Sequence, residues 1–455
     1  MELRAALLRL IGDDTRVSTG ESVRRLHAGD LSGNLPRLPD AVVFPVEVEE
    51  VAAVLAFAHE QRVAVTCFGA GTSTDGHVIP VEGGISLDLS RLDRILSLSP
   101  DDHTISVQAG VPRSEANRRA GEHGLFFPVD PGADATLGGM AATNASGTTT
   151  VRYGNMRRQI LGLTVVLADG SVVRTGGRTT KSSAGYDLTQ LFAGSEGTLG
   201  AIVELTLRLY AIPDRVVAAR ATFAELDAAC AAARSLAATG ASVSRLELLD
   251  EGTVRAINAF NETTFTEAPS LFLEFSGSSA AVEEDAAFAR EVMEEHGCLE
   301  VQLEHDHTAR VRLWQARHDA AFAIAATRAG GQILSTDVCV PLSELPGAVR
   351  TARGTAERLG LEVAIVGHAG DGNYHVVLIY DPEDPDEASR ADALKSAISA
   401  DALARGGTCS GEHGIGLGKI DELATEHGDL LPLMRGIKRV LDPHGIMNPG
   451  KVFRP

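Results

Sequence analysis

Two short stretches in the C-terminal half carry residue types at spacings that could do chemistry. GHAGDGNYH, residues 367 to 375, sets His368 and His375 on either side of a Gly-Asp-Gly-Asn core, and SGEHGIG sets Glu412 and His413 between glycines. The flanking runs EVAIVG and YHVVLIY read as strands, and Asp371-Gly372 is a preferred two-residue hairpin turn. That turn places Gly370 opposite Asn373, Ala369 opposite Tyr374 and His368 opposite His375. Opposed residues share a sheet face with Cβ atoms about 5 Å apart. Two imidazoles so placed reach one divalent ion at N–metal distances of about 2.1 Å. Glu412 offers the carboxylate that usually joins two histidines at an open catalytic metal site. Neighbouring residues in extended chain point apart, so His413 can face a substrate while Glu412 faces the ion. The competing reading is a hairpin with two solvated histidines and an acidic surface loop.

Three further loops, in the first half, have the chemistry of a nucleotide site. FGAGTSTDGH, residues 68 to 77, follows a β-like run, and its backbone N–H groups could form an anion nest for a pyrophosphate. Gly69, Gly71 and Gly76 are not at G-x-G-x-x-G spacing and no helix pattern follows, which disfavours a Rossmann site and leaves an ordinary strand connection as the alternative. PGADATLGGMAATNASGTTTVRYG, residues 131 to 154, and AGSEGTLG, residues 193 to 200, repeat the style. Small side chains let a flat ring or phosphate lie against the backbone, and Thr136, Thr143, Asn144, Ser146 and Thr198 can donate to its edges.

The elements that must position these residues fall into two textures. Over residues 40 to 210, strand-like runs (VAVTCF, GGISLDL, HTISVQAG, ILGLTVVLADGSVVRTGG, TLGAIVELTLRLY) surround one helical pattern, VEEVAAVLAFAHEQ. The Ala168-Asp169-Gly170-Ser171 step reads as a hairpin. After Pro213, strands such as SLFLEFSG and CLEVQL alternate with Ala/Glu-rich helices such as FAELDAACAAARSLAATG. DPEDPDEASR reads as an acidic loop, and DPHGIMNPGKVF as turns that fold back on the first domain. The expected boundaries are a helical segment over 1–37, a first domain over 38–213, a cap over 214–440 and a returning segment over 441–455.

Composition sets limits on partners. A chain of 455 residues is long for one core, which predicts two or three domains. With 61 acidic against 41 basic residues and a formal charge of −20, attraction to nucleic acid or an anionic membrane face is disfavoured. Cys67, Cys230, Cys298, Cys339 and Cys409 lack a Cys-x-x-Cys spacing and are odd in number, which points to a reducing compartment. MELRAALLRLIGDDTRVS lacks a signal-peptide pattern, and no run approaches the roughly 20 apolar residues of a membrane span. A cytoplasmic location, at most peripheral to the inner membrane, is expected.

PVEVEEV, FGAGTSTDGH, GLFFPVDPGADATLGGMAATNASG, VRYG, KSSAGYDLTQLFAGSEGTLG and LRLY together resemble the FAD domain of the vanillyl-alcohol-oxidase-type (PCMH-type) flavoproteins. The branch is that of D-lactate dehydrogenases and glycolate oxidase flavoprotein subunits. TDVCVP, GHAGDGNYH, GGTCSGEHGIGLGK and LDPHGIMNPGK extend the resemblance over nearly the whole chain, and the cytochrome-linked D-lactate dehydrogenases match best. The fold implied is α+β: a two-subdomain PCMH-type FAD-binding domain, a mixed α/β substrate (cap) domain with an antiparallel sheet, and a C-terminal return to the FAD domain.

The same resemblance implies the site. Its pyrophosphate loop corresponds to Gly69, Ala70, Gly71, Thr72 and Ser73, with Gly76 and His77 beside it. Isoalloxazine and ribityl contacts fall among Pro131, Gly132, Ala133, Thr136, Gly139, Ser146, Gly147, Glu196, Gly197, Thr198 and Ile202. Thr72 stands where some relatives tether their flavin through histidine, so FAD is expected to be noncovalent. His368, His375 and Glu412 are implied as ligands of Zn²⁺ or Mn²⁺, His413 as the base, and Arg317 as a clamp on the substrate carboxylate. Arg317 also reads as a surface-helix residue.

In related D-2-hydroxyglutarate dehydrogenases an Asn follows the second ligand histidine by two positions and a lysine stands in the strand resembling STDVCVP. Here these positions are Val377 and Ser335, so groups for a second carboxylate are missing. The expected activity is oxidation of D-lactate or a similar aliphatic D-2-hydroxy acid, with a cytochrome, quinone or electron-transfer flavoprotein as acceptor. A homodimer is an open option. The alternatives are a glycolate oxidase flavoprotein subunit, a D-2-hydroxyglutarate dehydrogenase, or a flavin-binding scaffold with a dead second site.

Overall fold

The computed structural model describes residues 3–454. The chain divides into two units: one takes the chain up to Ser146, Gly154–Ile212 and the chain from Glu412, the other takes Gly147–Tyr153 and Pro213–Gly411. The sequence reading kept 214–440 together. Instead, the chain beyond Gly411 packs with the first unit, because Ile437 and Leu441 join its apolar core and Lys438 Nζ donates to Thr198 O at 2.7 Å.

The first unit holds two main sheets. In one, Ala41–Val43, Ile85–Asp88 and Val65–Phe68 run parallel, with Val17–Ser18 antiparallel on the Ala41–Val43 edge. Helix Val48–Gln61 buries Val51, Val54, Leu55 and Ala58 at the i, i+3, i+4, i+7 spacing of an amphipathic helix. Each valine or leucine side chain so buried contributes roughly 1.5–3 kcal/mol. The free edge of Val65–Phe68 is met by the C-terminal segment, since Val65 N donates to Ile446 O at 2.8 Å and Asn448 N to Val65 O at 2.8 Å. The other sheet runs Ile95–Ser99, Thr104–Gln108, Ala201–Arg208, Ile160–Val166, Val172–Gly176, antiparallel throughout. Its last hairpin turns at the Ala-Asp-Gly-Ser step, with Leu167 N donating to Ser171 O at 2.9 Å.

The second unit is an antiparallel sheet in the order Cys298–Glu304, Arg215–Phe223, Ser270–Gly277, Val243–Leu249, Ala364–His368, Asn373–Tyr380, Gln332–Ser335. Leu226–Ala237, Ser279–Glu295, Leu345–Arg358 and Pro385–Ala404 close one core, together with Phe223, Leu246, Phe275 and Tyr374. Glu251–Asn261, His307–His318 and Ala320–Ala325 cover a second cluster containing Phe272, Val366 and Val377. DPEDPDEASR is only partly the expected loop: Asp384 accepts from the Asp386 and Glu387 backbone N–H groups, and Pro385 starts a 20-residue helix. Proline with a capping acid before it is a helix start. Among the described residues no helix is long and apolar enough to cross a membrane.

Candidate active site

The histidine hairpin differs from its expected register. Val366 pairs with His375, Gly367 with Tyr374 and His368 with Asn373, so the connection spans Ala369 to Gly372 rather than a two-residue turn. The cause is a third strand. Val338–Cys339 pairs with Tyr374 and Asn373, and Val340 N donates to Gly372 O at 3.0 Å. Gly372, at φ 84°, sits so close to the Val340 carbonyl that a Cβ has no room. The pairing slips by two residues, an even number, so both histidines keep one face. They are diagonal neighbours, buried, with ring centroids 5.7 Å apart.

Both Nδ1 atoms are committed. His375 Nδ1 lies 3.0 Å from Thr336 O, and His368 Nδ1 lies 2.8 Å from Glu247 Oε1. With Nδ1–H donating, each Nε2 carries the lone pair a metal ligand needs, and the partner fixes the ring's orientation. The donor chemistry therefore fits a divalent ion held by these two rings.

Glu247 was missed by the sequence reading. It is fully buried on Val243–Leu249, directly opposite His368, and its Oε2 accepts from Arg317 Nε at 2.8 Å and lies 2.6 Å from Arg317 Nη2. Burial pushes the carboxyl up, but His368 and Arg317 outweigh it and hold Glu247 below the ordinary glutamate range. Its signal was available: one acid inside VSRLELL is a charge in a leucine-rich strand, and such a residue needs a partner when buried. Arg317 is correspondingly not a surface-helix residue, and two of its donors are engaged by Glu247. Trp314, one turn earlier, is buried with its indole N–H lacking a hydrogen-bond partner among the described residues.

Ser335 and Val377 are cross-strand partners, and Val377 lies two residues from His375 on the same face. Asp337, also unforeseen, accepts from Asn373 Nδ2 at 2.9 Å and from Ser410 Oγ at 2.9 Å. With the Cys339–Thr408 bridge, this fixes the chain just before Glu412.

In the first unit the glycine-rich loops come together. A Cβ on Gly69 would lie 2.5 Å from Thr136 Oγ1, so the first two loops touch only because residue 69 is glycine. Gly71 and Gly76 adopt φ of 68° and 81°. Ala70 is exposed and Thr72 half-buried, while Ser73 Oγ donates to Asp30 at 2.8 Å. The second loop contains an unforeseen helix, Leu137–Thr143, which takes up several of the hydroxyls. Thr136 caps it by accepting from Gly139 N, Thr143 Oγ1 donates to Gly139 O, and Asn144 Oδ1 accepts from Arg157 N. Pro131, Gly132 and Ala133 lead into it partly exposed, and Ser146 is buried at its far side. Gly147 opens the short piece that belongs to the second unit.

The third loop, 193–200, meets the stretch carrying His413. Glu196, at φ 54°, is buried and accepts from Ile415 N at 2.7 Å and Gly416 N at 2.8 Å. His77 Nε2 lies 3.4 Å from Glu196 Oε2. Burial acts against both charges, yet their mutual attraction raises the His77 imidazole and lowers the Glu196 carboxyl. Asp75 O accepts from Leu417 N at 2.7 Å, and His413 Nδ1 lies 3.9 Å from Asp75 Oδ2. Asn448 Nδ2 bonds to His77 O and Glu196 O, and Lys451 Nζ to Ile79 O. Gly197 follows at φ 69°, Thr198 Oγ1 donates to Ser195 O at 2.6 Å, and Ile202 is buried in the sheet. Ser195 Oγ is buried without a partner among the described residues. Closely approached backbone, glycines at positive φ and an unmatched buried hydroxyl fit a dinucleotide.

Two family models match parts of the chain. Residues 212–452 match the model of the C-terminal domain of FAD linked oxidases, and residues 39–176 match an FAD binding domain. A probable mitochondrial D-lactate dehydrogenase of Danio rerio is 44% identical over 98% of this chain and 90% of its own. A mitochondrial D-lactate dehydrogenase [cytochrome] of Arabidopsis thaliana is 41% identical over 92% of this chain and 74% of its own. Glycolate oxidase subunit GlcD of Bacillus subtilis is 33% identical over 94% and 92%. Among solved structures, p-cresol methylhydroxylase with substrate bound superposes with a TM-score of 0.82 over 98% of this chain and 95% of that one, at 19% identity.

Proposed function

The chain belongs to the FAD-linked oxidase family and is an FAD-dependent oxidoreductase, and from that premise we propose that it oxidises D-lactate or a similarly short aliphatic D-2-hydroxy acid to the 2-oxo acid. The observation that carries the substrate class is the Ser335–Val377 pair beside His375. A second carboxylate would meet a methyl-bearing side chain and one hydroxyl there, and burying it without cationic partners is costly.

The 69–77, 131–147 and 193–200 loops would hold FAD noncovalently, and its N5 would supply the acceptor for the substrate's Cα hydride. A divalent ion, Zn²⁺ or Mn²⁺, held by His368, His375 and Glu412 would supply Lewis acidity toward the α-hydroxyl. His413 takes the hydroxyl proton as the Cα hydride departs and the carbonyl forms. Arg317 pairs with the substrate carboxylate through Nη1, since its Nε and Nη2 face Glu247, and Glu247 holds His368 in its ligand tautomer. The engagement of His77 with Glu196 favours an untethered flavin.

A second reading, glycolate oxidation by a flavoprotein subunit, has the Bacillus subtilis relative in its favour. Electrons would pass on to a cytochrome, a quinone or an electron-transfer flavoprotein, from a cytoplasmic location or one at most peripheral to the inner membrane, with the chain acting alone or as a homodimer. The test is anaerobic bleaching of bound flavin near 450 nm by paired D- and L-2-hydroxy acids. Rapid bleaching by D-lactate and slow bleaching by L-lactate, glycolate and D-2-hydroxyglutarate support the reading. Faster reduction by glycolate moves the assignment to the second one, and no reduction by any of them leaves only a flavin-binding scaffold.

A further inference from the structure

We infer that Glu196 is a positioning residue whose carboxylate holds the 412–418 loop, and with it His413, in the posture that proton removal requires. The inference rests on the reading of His413 as the base. The resemblance counts Glu196 among flavin contacts, but its side chain is engaged elsewhere. Oε1 accepts from Ile415 N at 2.7 Å and Oε2 from Gly416 N at 2.8 Å, so one carboxylate receives two consecutive backbone N–H groups two and three residues beyond His413. Two parallel charge-assisted bonds fix orientation as well as distance. The packing leaves little slack. A Cβ on Gly414 would lie 2.7 Å from both Glu196 Oε1 and His77 Nε2, and a Cβ on Gly416 would meet the Asp75 carbonyl.

The left-handed backbone at Glu196, φ 54°, is a conformation that residues other than Gly, Asn and Asp rarely adopt, and it persists where surrounding contacts over-determine it. Asn448 Nδ2 bonding to Glu196 O at 2.7 Å is one such contact, and the carboxylate's grip on Ile415 and Gly416 is another. His77, between Glu196 and Gly414, backs the carboxylate from the side of the 69–77 loop. Displacing a reacting group by about 1 Å can cost about a hundredfold in rate, so the grip on this loop is expected to appear in the chemical step rather than in flavin retention.

Glu196→Gln tests this. Glutamine keeps the volume but can accept on one oxygen only, and it turns an NH₂ toward the second N–H. In FAD-loaded holoenzyme the variant should keep its flavin-to-protein ratio. Hydrogen exchange at the Ile415 and Gly416 amides should quicken by at least about tenfold. Flavin reduction at saturating D-lactate should slow by about a hundredfold, with the deuterium effect of 2-²H-lactate raised and chemical reduction by dithionite unchanged. Gly414→Ala, whose added methyl would lie 2.7 Å from Glu196 Oε1 and His77 Nε2 and so push the loop off the carboxylate while residue 196 stays glutamate, should give the same pattern, and it carries the test if Glu196→Gln loses its flavin. Unchanged amide exchange overturns the inference, as does quickened exchange with wild-type reduction. If wild-type protein is not reduced by any 2-hydroxy acid, the functional reading fails by itself, while amide exchange still decides whether Glu196 holds the loop.

Discussion

Glu247→Gln is the perturbation with the most consequences. The wild-type carboxylate is fully buried and held at three points: His368 Nδ1 at 2.8 Å on one oxygen, Arg317 Nε at 2.8 Å and Nη2 at 2.6 Å on the other. Glutamine fills the same space but has one accepting oxygen, so either the arginine fork or the imidazole N–H faces an NH₂. The Arg317 charge also loses its counter-ion. Removing one partner of a buried ion pair costs about 3–5 kcal/mol, which for a unit of this size is a fall in Tm of about 6–20 °C. Loss of the group behind a histidine ligand typically weakens metal binding by about 10–100-fold. The assays are thermal unfolding by circular dichroism and Mn²⁺ titration of exhaustively chelated protein by calorimetry. In wild type, chelation should suppress turnover and re-metallation restore it. Adding Arg317→Met to Glu247→Gln should recover part of the stability, because the stranded charge is gone, but none of the metal affinity. A Glu247→Gln protein that unfolds within about 2 °C of wild type and binds Mn²⁺ equally well would refute both the buried bridge and its service to the metal.

Other outcomes follow from the same geometry. His413→Ala should stay yellow and folded yet resist reduction by D-lactate, read as absorbance loss in anaerobic stopped flow, and wild-type reduction would remove His413 as base. Gly69→Ala places a methyl 2.5 Å from Thr136 Oγ1 and should lower flavin content, with recovery in Gly69→Ala/Thr136→Ala, measured as flavin absorbance per protein. Burial pushes the Lys451 ammonium down to about 8 from 10.5. Between those values the unfolded chain binds more protons than the folded one, so stability rises with pH across this window. Wild type should therefore gain in Tm relative to Lys451→Met as pH rises from about 8 toward 10. A constant difference would contradict the burial of that charge.

The strand-rich first half, the hairpin and the chemistry-bearing loops were legible because period-two alternation and glycine spacing are local signals. The register of the histidine hairpin was not. Asp371-Gly372 is a good turn in isolation, but Val338–Cys339 claims Asn373 and Tyr374, and Val340 receives Gly372. A non-local strand overrode a local preference. Likewise, DPEDPDEASR reads as a loop by composition, whereas its acids and Pro385 are the start of a helix. Thr136, Thr143 and Asn144 were read as ligand donors, since a sequence cannot show that a seven-residue helix takes up their side chains. Glu247 could have been found from the impropriety of an acid among leucines. Asn448 and Lys451 could not, because a turn gives no hint of which carbonyls its side chains will reach.

The order of the pieces along the chain has a consequence for biosynthesis. The FAD-binding unit is interrupted by the 213–411 cap and takes up the chain again only from Glu412. Its parallel sheet edge at Val65 waits for Ile446 and Asn448, and the loop ends at His77 and Ile79 wait for Asn448 and Lys451. Domains fold as units while a ribosome delivers the chain from the N-terminus. The cap strands are therefore all translated before the flavin unit can close, and cofactor capture becomes a late event on a chain whose His368 and His375 have already emerged.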